Sequence, residues 1–131
     1  MDHNQLAEKA IEAKSKALPP YSNFHVGAAL LTDDGKIYLG ANIENSSYSL
    51  TVCAERVAVF KAISEGERKF KTIAIASDDA GFCSPCGACR QVLNDLCGSE
   101  IDVILVNQKK ELKILKLADL LPLPFGDSNL R

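Results

Sequence analysis

In the first eighteen residues, apolar positions recur at helical spacing: Leu6, Ala7, Ala10, Ile11, Ala17 and Leu18, with lysine and glutamate between them. The pattern predicts a helix over 5–18, stopped by Pro19-Pro20. The period then changes. Residues 26–31 are continuously apolar, Asp33-Asp34-Gly35 carries turn chemistry, and 36–44 alternates, so a β-hairpin is expected. Beyond a polar loop at 45–49, Thr51 reads as the N-cap of a helix over 52–64 that Gly66 ends. A short strand over 72–77 follows. Ser84-Pro85 then opens a helix running to 96, with Gly98 just past its end. Strands over 101–106 and 112–117 precede a tail rich in Leu and Pro.

The order α-β-β-α-β-α-β-β predicts an α/β fold, a three-layer α/β/α sandwich around a mixed, roughly five-stranded central sheet. With 131 residues, one domain over 1–131 is expected. The 47% hydrophobic and 24% charged content is that of a globular chain. Fifteen basic against seventeen acidic residues give a net charge of −2, which argues against a face that grips nucleic acid. No apolar run reaches the length of a membrane span. The start, Met1-Asp2-His3-Asn4-Gln5, lacks the basic and apolar regions of a signal peptide, so a cytoplasmic, reducing location is expected.

Under reducing conditions, Cys53, Cys83, Cys86, Cys89 and Cys97 read as metal or catalytic groups before disulfides. Two segments stand out: Cys53-Ala54-Glu55-Arg56 and Pro85-Cys86-Gly87-Ala88-Cys89. With Thr51 and Ser84 as caps, Cys53 and Cys86 take the second helical positions. There the helix dipole favours the thiolate that a metal requires. Cys86 and Cys89, three apart, share one helical face. Three sulfur ligands with an open fourth position are the catalytic arrangement of zinc. An iron–sulfur run starting at Cys83 would want Cys-Pro where Leu93-Asn94 stand. A structural four-cysteine site that uses Cys83 is the stronger competitor, but Cys83 precedes the helix and Glu55 would then have no task. Cys97, near the end of its helix, reads as a small buried hydrophobe.

Glu55 is the sharpest residue. A carboxylate two positions from a zinc thiolate, in the first turn of a helix, can reach a metal-bound water without being a ligand. Three thiolates leave the ion at net −1. Arg56 can offset that charge by donating to the sulfurs, and an ordinary salt bridge to Glu12 or Glu65 fits the sequence equally.

At these residues the chain resembles the zinc-dependent cytidine deaminases of the small single-domain type. Their signature is His-x-Glu or Cys-x-Glu followed by Pro-Cys-x-x-Cys. The resemblance continues through Tyr21-Ser22-Asn23-Phe24, Val26-Gly27-Ala28-Ala29-Leu30, Gly40-Ala41-Asn42-Ile43-Glu44-Asn45, Arg90-Gln91, Leu120-Leu121-Pro122 and Phe125-Gly126. It departs at Val57, where Thr is frequent, at Cys83, which matches no family ligand, and at Asp127, where Pro is common.

The resemblance implies one Zn²⁺ per subunit on Cys53, Cys86 and Cys89. It also implies water attacking C4 of cytidine or deoxycytidine, with Glu55 shuttling protons as ammonia leaves. Phe24 would stack on the pyrimidine, Asn42 and Glu44 bind ribose hydroxyls, and Ala54 touch the substrate. Tyr48 and Phe125 would reach into a neighbouring subunit's site within a homotetramer. The implied task is pyrimidine salvage on a free nucleoside. Asn42 and Glu44, two apart on an alternating strand, should point to one face, where a carboxylate accepts hydroxyls and repels phosphate. His3 and His25 receive no role. A structural zinc module, an RNA- or DNA-editing deaminase and a deaminase of a cytosine-containing antibiotic nucleoside are the competing classes. The net charge of −2 disfavours the editing enzyme.

Overall fold

A computed structural model describes residues 1–130. Helix α1 (His3–Ala13) starts before its apolar pattern does, because Asp2 caps it. The Asp2 carboxylate accepts the Gln5 N–H at 2.8 Å and the Gln5 side chain accepts the Asp2 N–H at 3.0 Å. The helix also ends earlier than its pattern. It tightens into a 3-10 turn, Lys14–Lys16, ahead of the two prolines.

Strands β1 (Val26–Thr32) and β2 (Ile37–Ala41) form the expected antiparallel hairpin, with Gly35 at φ 92° in its turn. Strands β3 (Phe70–Ser77), β4 (Asp102–Val106) and β5 (Leu112–Lys116) complete a five-stranded sheet in the order β2-β1-β3-β4-β5. The β3–β4 pair is parallel and the others are antiparallel, so the sheet is mixed. On one face, Leu6, Ala7 and Ala10 of α1 pack on Ala29, Leu31, Ala74 and Ile104. On the other face, helices α2 (Ala54–Ser64) and α3 (Gly87–Cys97) bury Ala58, Val59, Ala62 and Leu93 against Leu30, Ile73, Ile75 and Val103. The two-residue period of each strand thus feeds two separate clusters, giving three layers.

Both site-bearing helices begin later than their cap signals suggest. The residues expected to cap them spend their side chains elsewhere. The Thr51 hydroxyl accepts the Asn45 N–H at 3.0 Å, and the Ser84 hydroxyl accepts from Arg90 at 2.9 Å. The caps are Cys53 and Cys86 themselves. The strand expected over 112–117 stops at Lys116, where Leu117 turns into a short helix, α4 (Leu117–Leu120).

The position of α2 on the sheet is set by a missing side chain. A Cβ at Gly40 would lie 2.4 Å from the Ala54 carbonyl oxygen and 2.5 Å from the Ala58 nitrogen, both rigid backbone. Gly40→Ala therefore pushes off the helix that carries Glu55. We expect a loss of at least about 2 kcal/mol in urea unfolding, the range for core overpacking. An unchanged midpoint would show that α2 can slide without cost.

Candidate active site

The start of α2 and the start of α3 meet beside the ends of β1 and β3. The capping positions, the residues with free backbone N–H groups next to them, carry sulfur. Cys53 caps α2 without a side-chain hydrogen bond. Cys86 caps α3 and accepts the Cys89 N–H at 3.4 Å. Cys89, one turn in, is fully buried.

The Cys53 and Cys86 sulfurs are 3.8 Å apart, those of Cys86 and Cys89 3.3 Å, and all three lie within 4.8 Å of one another. Tetrahedral zinc with Zn–S bonds of about 2.3 Å requires sulfurs about 3.8 Å apart. The donor set fits the ion. Among the described residues no fourth His, Cys, Asp or Glu joins this group. The thiols also conflict without a cation. The Cys89 thiol and the Arg56 guanidinium hold Cys53 down to about 5, while Cys89, buried against Cys53, is pushed up. A cation removes the conflict by deprotonating its ligands outright.

Glu55 sits in the first turn of α2 with only 4% of its surface exposed. Burial pushes its carboxyl up to about 7; its own backbone N–H opposes the shift and the Cys53 charge adds to it. Arg56 donates to the Cys53 sulfur at 3.5 Å and to the Thr51 carbonyl at 3.4 Å, turning toward the sulfurs rather than toward Glu12 or Glu65. Its buried Nε has no hydrogen-bond partner.

A cavity of about 270 Å³ opens over this group. Phe24, Asn42, Glu44, Ala54 and Glu55 line it together with Cys53 and Cys86. A larger hollow of about 440 Å³, bounded by Tyr38, Leu39, Val57 and Lys61, holds no comparable convergence of titratable groups. Asn42 and Glu44 meet in the first cavity by a route other than the expected continuous strand. Strand β2 ends at Ala41, and Ile43 continues only as single bridges to Leu18 and Val52.

The model of the "Cytidine and deoxycytidylate deaminase zinc-binding region" matches residues 1–105, which contain all three cysteines and Glu55. The chain belongs to this deaminase family. It is 49% identical over 130 residues to the cytidine deaminase of Sporosarcina psychrophila, covering 99% of this chain and 96% of that relative. It is 41% identical over 126 residues to that of Mycobacterium tuberculosis, covering 96% and 91%. The crystal structure of cytidine deaminase from Burkholderia pseudomallei superposes with a TM-score of 0.93 at 46% identity, over 95% of this chain and all of that one. The cofactor of this family member is therefore zinc, one ion per chain, at the Cys53–Cys86–Cys89 group.

In the deaminase, two of the singled-out residues stand apart from their own cavity. Tyr48 is 75% exposed and packs edge-on against Tyr21, ring centroids 6.1 Å apart. Phe125 is 59% exposed in the tail, which is tied back where its carbonyl accepts from Gln91 at 2.7 Å. Cys83 lines the cavity with its sulfur outside the three-sulfur group. Burial pushes the Cys97 thiol up to about 12, and it packs against the core.

Sequence reasoning missed part of the lining. Ile75 and Ser77 reach the cavity from β3, a placement that the strand's two-residue period could have signalled. His25 does have a task. Its backbone N–H and its Nδ1 lie 2.8 and 2.9 Å from one Asp78 oxygen, and Lys14 holds the other at 3.2 Å. This cluster ties the end of α1, the start of β1 and the end of β3 at the cavity's edge.

Proposed function

We propose that the chain, acting as one domain over residues 1–131, hydrolyses the C4–N bond of cytidine and deoxycytidine, giving uridine or deoxyuridine and ammonia. The observation that carries this reading is a buried carboxyl, Glu55, sharing a 270 Å³ cavity with two of three clustered thiols. Bound by Cys53, Cys86 and Cys89, zinc supplies the Lewis acidity that makes water nucleophilic at neutral pH. Glu55 takes one proton from the attacking water and delivers it to ring nitrogen N3. It then carries the second proton to the departing amine, so C4 gains oxygen as it loses nitrogen and no proton is left over. Burial supports this role, since a carboxyl raised to about 7 can both accept and donate near neutral pH. Arg56 offsets the negative charge of the sulfurs.

Phe24 stacks on the pyrimidine, Ala54 lies against the substrate, and Asn42 and Glu44 take the sugar hydroxyls. The exposed Tyr48 and Phe125 complete a neighbouring subunit's site in a homotetramer, a reading supported by the exposure of Leu50 and Leu123 beside them. The substrate is a free nucleoside handled in pyrimidine salvage, in the cytoplasm. Among the described residues no helix is long and apolar enough to cross a membrane.

The deciding experiment follows ultraviolet absorbance of the zinc-loaded protein with three substrates. Cytidine and deoxycytidine lose the aminopyrimidine absorbance. Cytidine monophosphate reacts at least about tenfold more slowly, because its phosphate approaches the Glu44 carboxylate. Zinc-loaded protein that leaves all three spectra unchanged refutes the reading in favour of a structural zinc module. Preferential turnover of the monophosphate refutes the nucleoside assignment.

A further inference from the structure

The segment that carries Phe24 has no regular structure before β1, and Asn23 within it adopts φ 57°, uncommon for a residue with a side chain. Two residues just past β2 hold this segment. Asn42 accepts the Val26 N–H at 2.8 Å and donates to the Phe24 carbonyl at 2.8 Å. Glu44 accepts the Tyr21 and Ser22 backbone N–H groups at Oε1, each at 3.0 Å, and the Ser22 hydroxyl at Oε2.

Ser22 is the node of this network. Its oxygen accepts the Phe24 N–H at 3.1 Å, which leaves its one proton for Glu44. An ionised carboxylate has about four acceptor positions, and the segment already fills three of those on Glu44. One remains, on Oε2, and Glu44 lines the cavity. The Ser22 hydroxyl and the two N–H groups also hold the Glu44 carboxyl below the usual carboxylate range, so it stays a pure acceptor.

We infer that Ser22 is a positioning residue for sugar recognition. Its hydroxyl, turned by the Phe24 N–H, fixes Glu44 so that a single acceptor position faces one hydroxyl of the substrate's sugar. The inference rests on the assignment of Glu44 to the sugar and goes beyond it. A single free acceptor takes one hydroxyl, and acceptance of both ribose and deoxyribose nucleosides requires that it be a hydroxyl both sugars carry. Removing the hydroxyl frees the carboxylate to rotate. Phe24 loses less, because Ser22 is exposed and water can take over its N–H.

The test compares kcat/KM for cytidine and for 2′,3′-dideoxycytidine, which lacks both ring hydroxyls, in zinc-loaded Ser22→Ala, Ser22→Thr and Glu44→Gln. Ser22→Ala should cost about tenfold on cytidine, as for a lost hydrogen bond to a charged group, and less than about twofold on the dideoxy substrate. Ser22→Thr, which keeps the hydroxyl and points its methyl to solvent, should restore cytidine to within about twofold of the parent chain. An equal loss on both substrates makes Ser22 a structural residue and overturns the inference, as does no loss on either. Glu44→Gln separates the two layers. If it erases the preference for cytidine while Ser22→Ala does not, only the role of Ser22 falls. If it leaves that preference intact, the assignment of Glu44 to the sugar falls as well.

Discussion

Glu55→Gln should lower turnover of cytidine by at least about a thousandfold while zinc stays at one ion per chain, since proton transfer by one positioned group contributes up to about ten-thousandfold. Glutamine keeps the size of the side chain and fills the same nearly closed space, so the cavity keeps its shape. It cannot take a proton from water, nor hold one between the ring nitrogen and the leaving amine. Because the same carboxyl serves both transfers, no step is left for a second group to rescue. Among the residues lining the cavity, Glu55 and Glu44 are the two carboxylates. Glu44 is committed to the Tyr21–Ser22 segment by three hydrogen bonds and is held in its charged form, so it cannot substitute. Absorbance assays and atomic absorption on the same preparation check both halves of the expectation. Activity within tenfold of the parent chain would remove Glu55 from the chemistry; loss of zinc would make it part of the metal's support instead. The fold should hold, because the substitution replaces a carboxyl that burial disfavours in its charged form with a neutral amide.

Much of this architecture could be read from periodicity. The hairpin, the three later strands and the helices on both faces follow from apolar spacing, because each element buries one face and the pattern records which. The starts of α2 and α3 could not be read this way. Thr51 and Ser84 are good capping residues by type, but Asn45 and Arg90, each six positions away, claim their hydroxyls. That competition comes from just outside the two- to three-residue reach of a cap, and the helices start with Cys53 and Cys86 at their caps rather than inside them. Asn42 and Glu44 are a related case. Alternation placed them on one side correctly, yet the strand ends before them, and their contacts with 21–26 depend on a loop whose path no local pattern records. The three sulfurs and Glu55 were legible because their chemistry requires particular residue types at short spacing. The tie from His25 to Asp78 was not, since it joins residues 53 positions apart through one carboxylate.

Cys53→Ala should leave less than about one-tenth of an ion of zinc per chain after dialysis, because two thiolates from one helix turn cannot close a tetrahedral site. Turnover should vanish with the metal. The reason lies in where the three sulfurs come from. Cys86 and Cys89 belong to α3, 3.3 Å apart, whereas Cys53 comes from α2 and is what makes the site span two helices. It is also the thiol that the Cys89 thiol and Arg56 hold down to about 5. Folding should survive the substitution. Cys53 makes no capping hydrogen bond, so alanine removes no cap interaction from α2. The melting temperature should fall only to that of the parent chain stripped by chelator, since a ligand that binds the folded state alone stabilises it by mass action. Cys83→Ser is the control that gives the result its meaning. The Cys83 sulfur lies outside the three-sulfur group, 3.9 Å from the Ser84 carbonyl oxygen, so zinc content should match the parent chain. The opposite pair of results, zinc retained without Cys53 and lost without Cys83, would reassign the ligands. The α2 segment would then have no part in the metal's coordination, and Glu55 no reason to stand where it does.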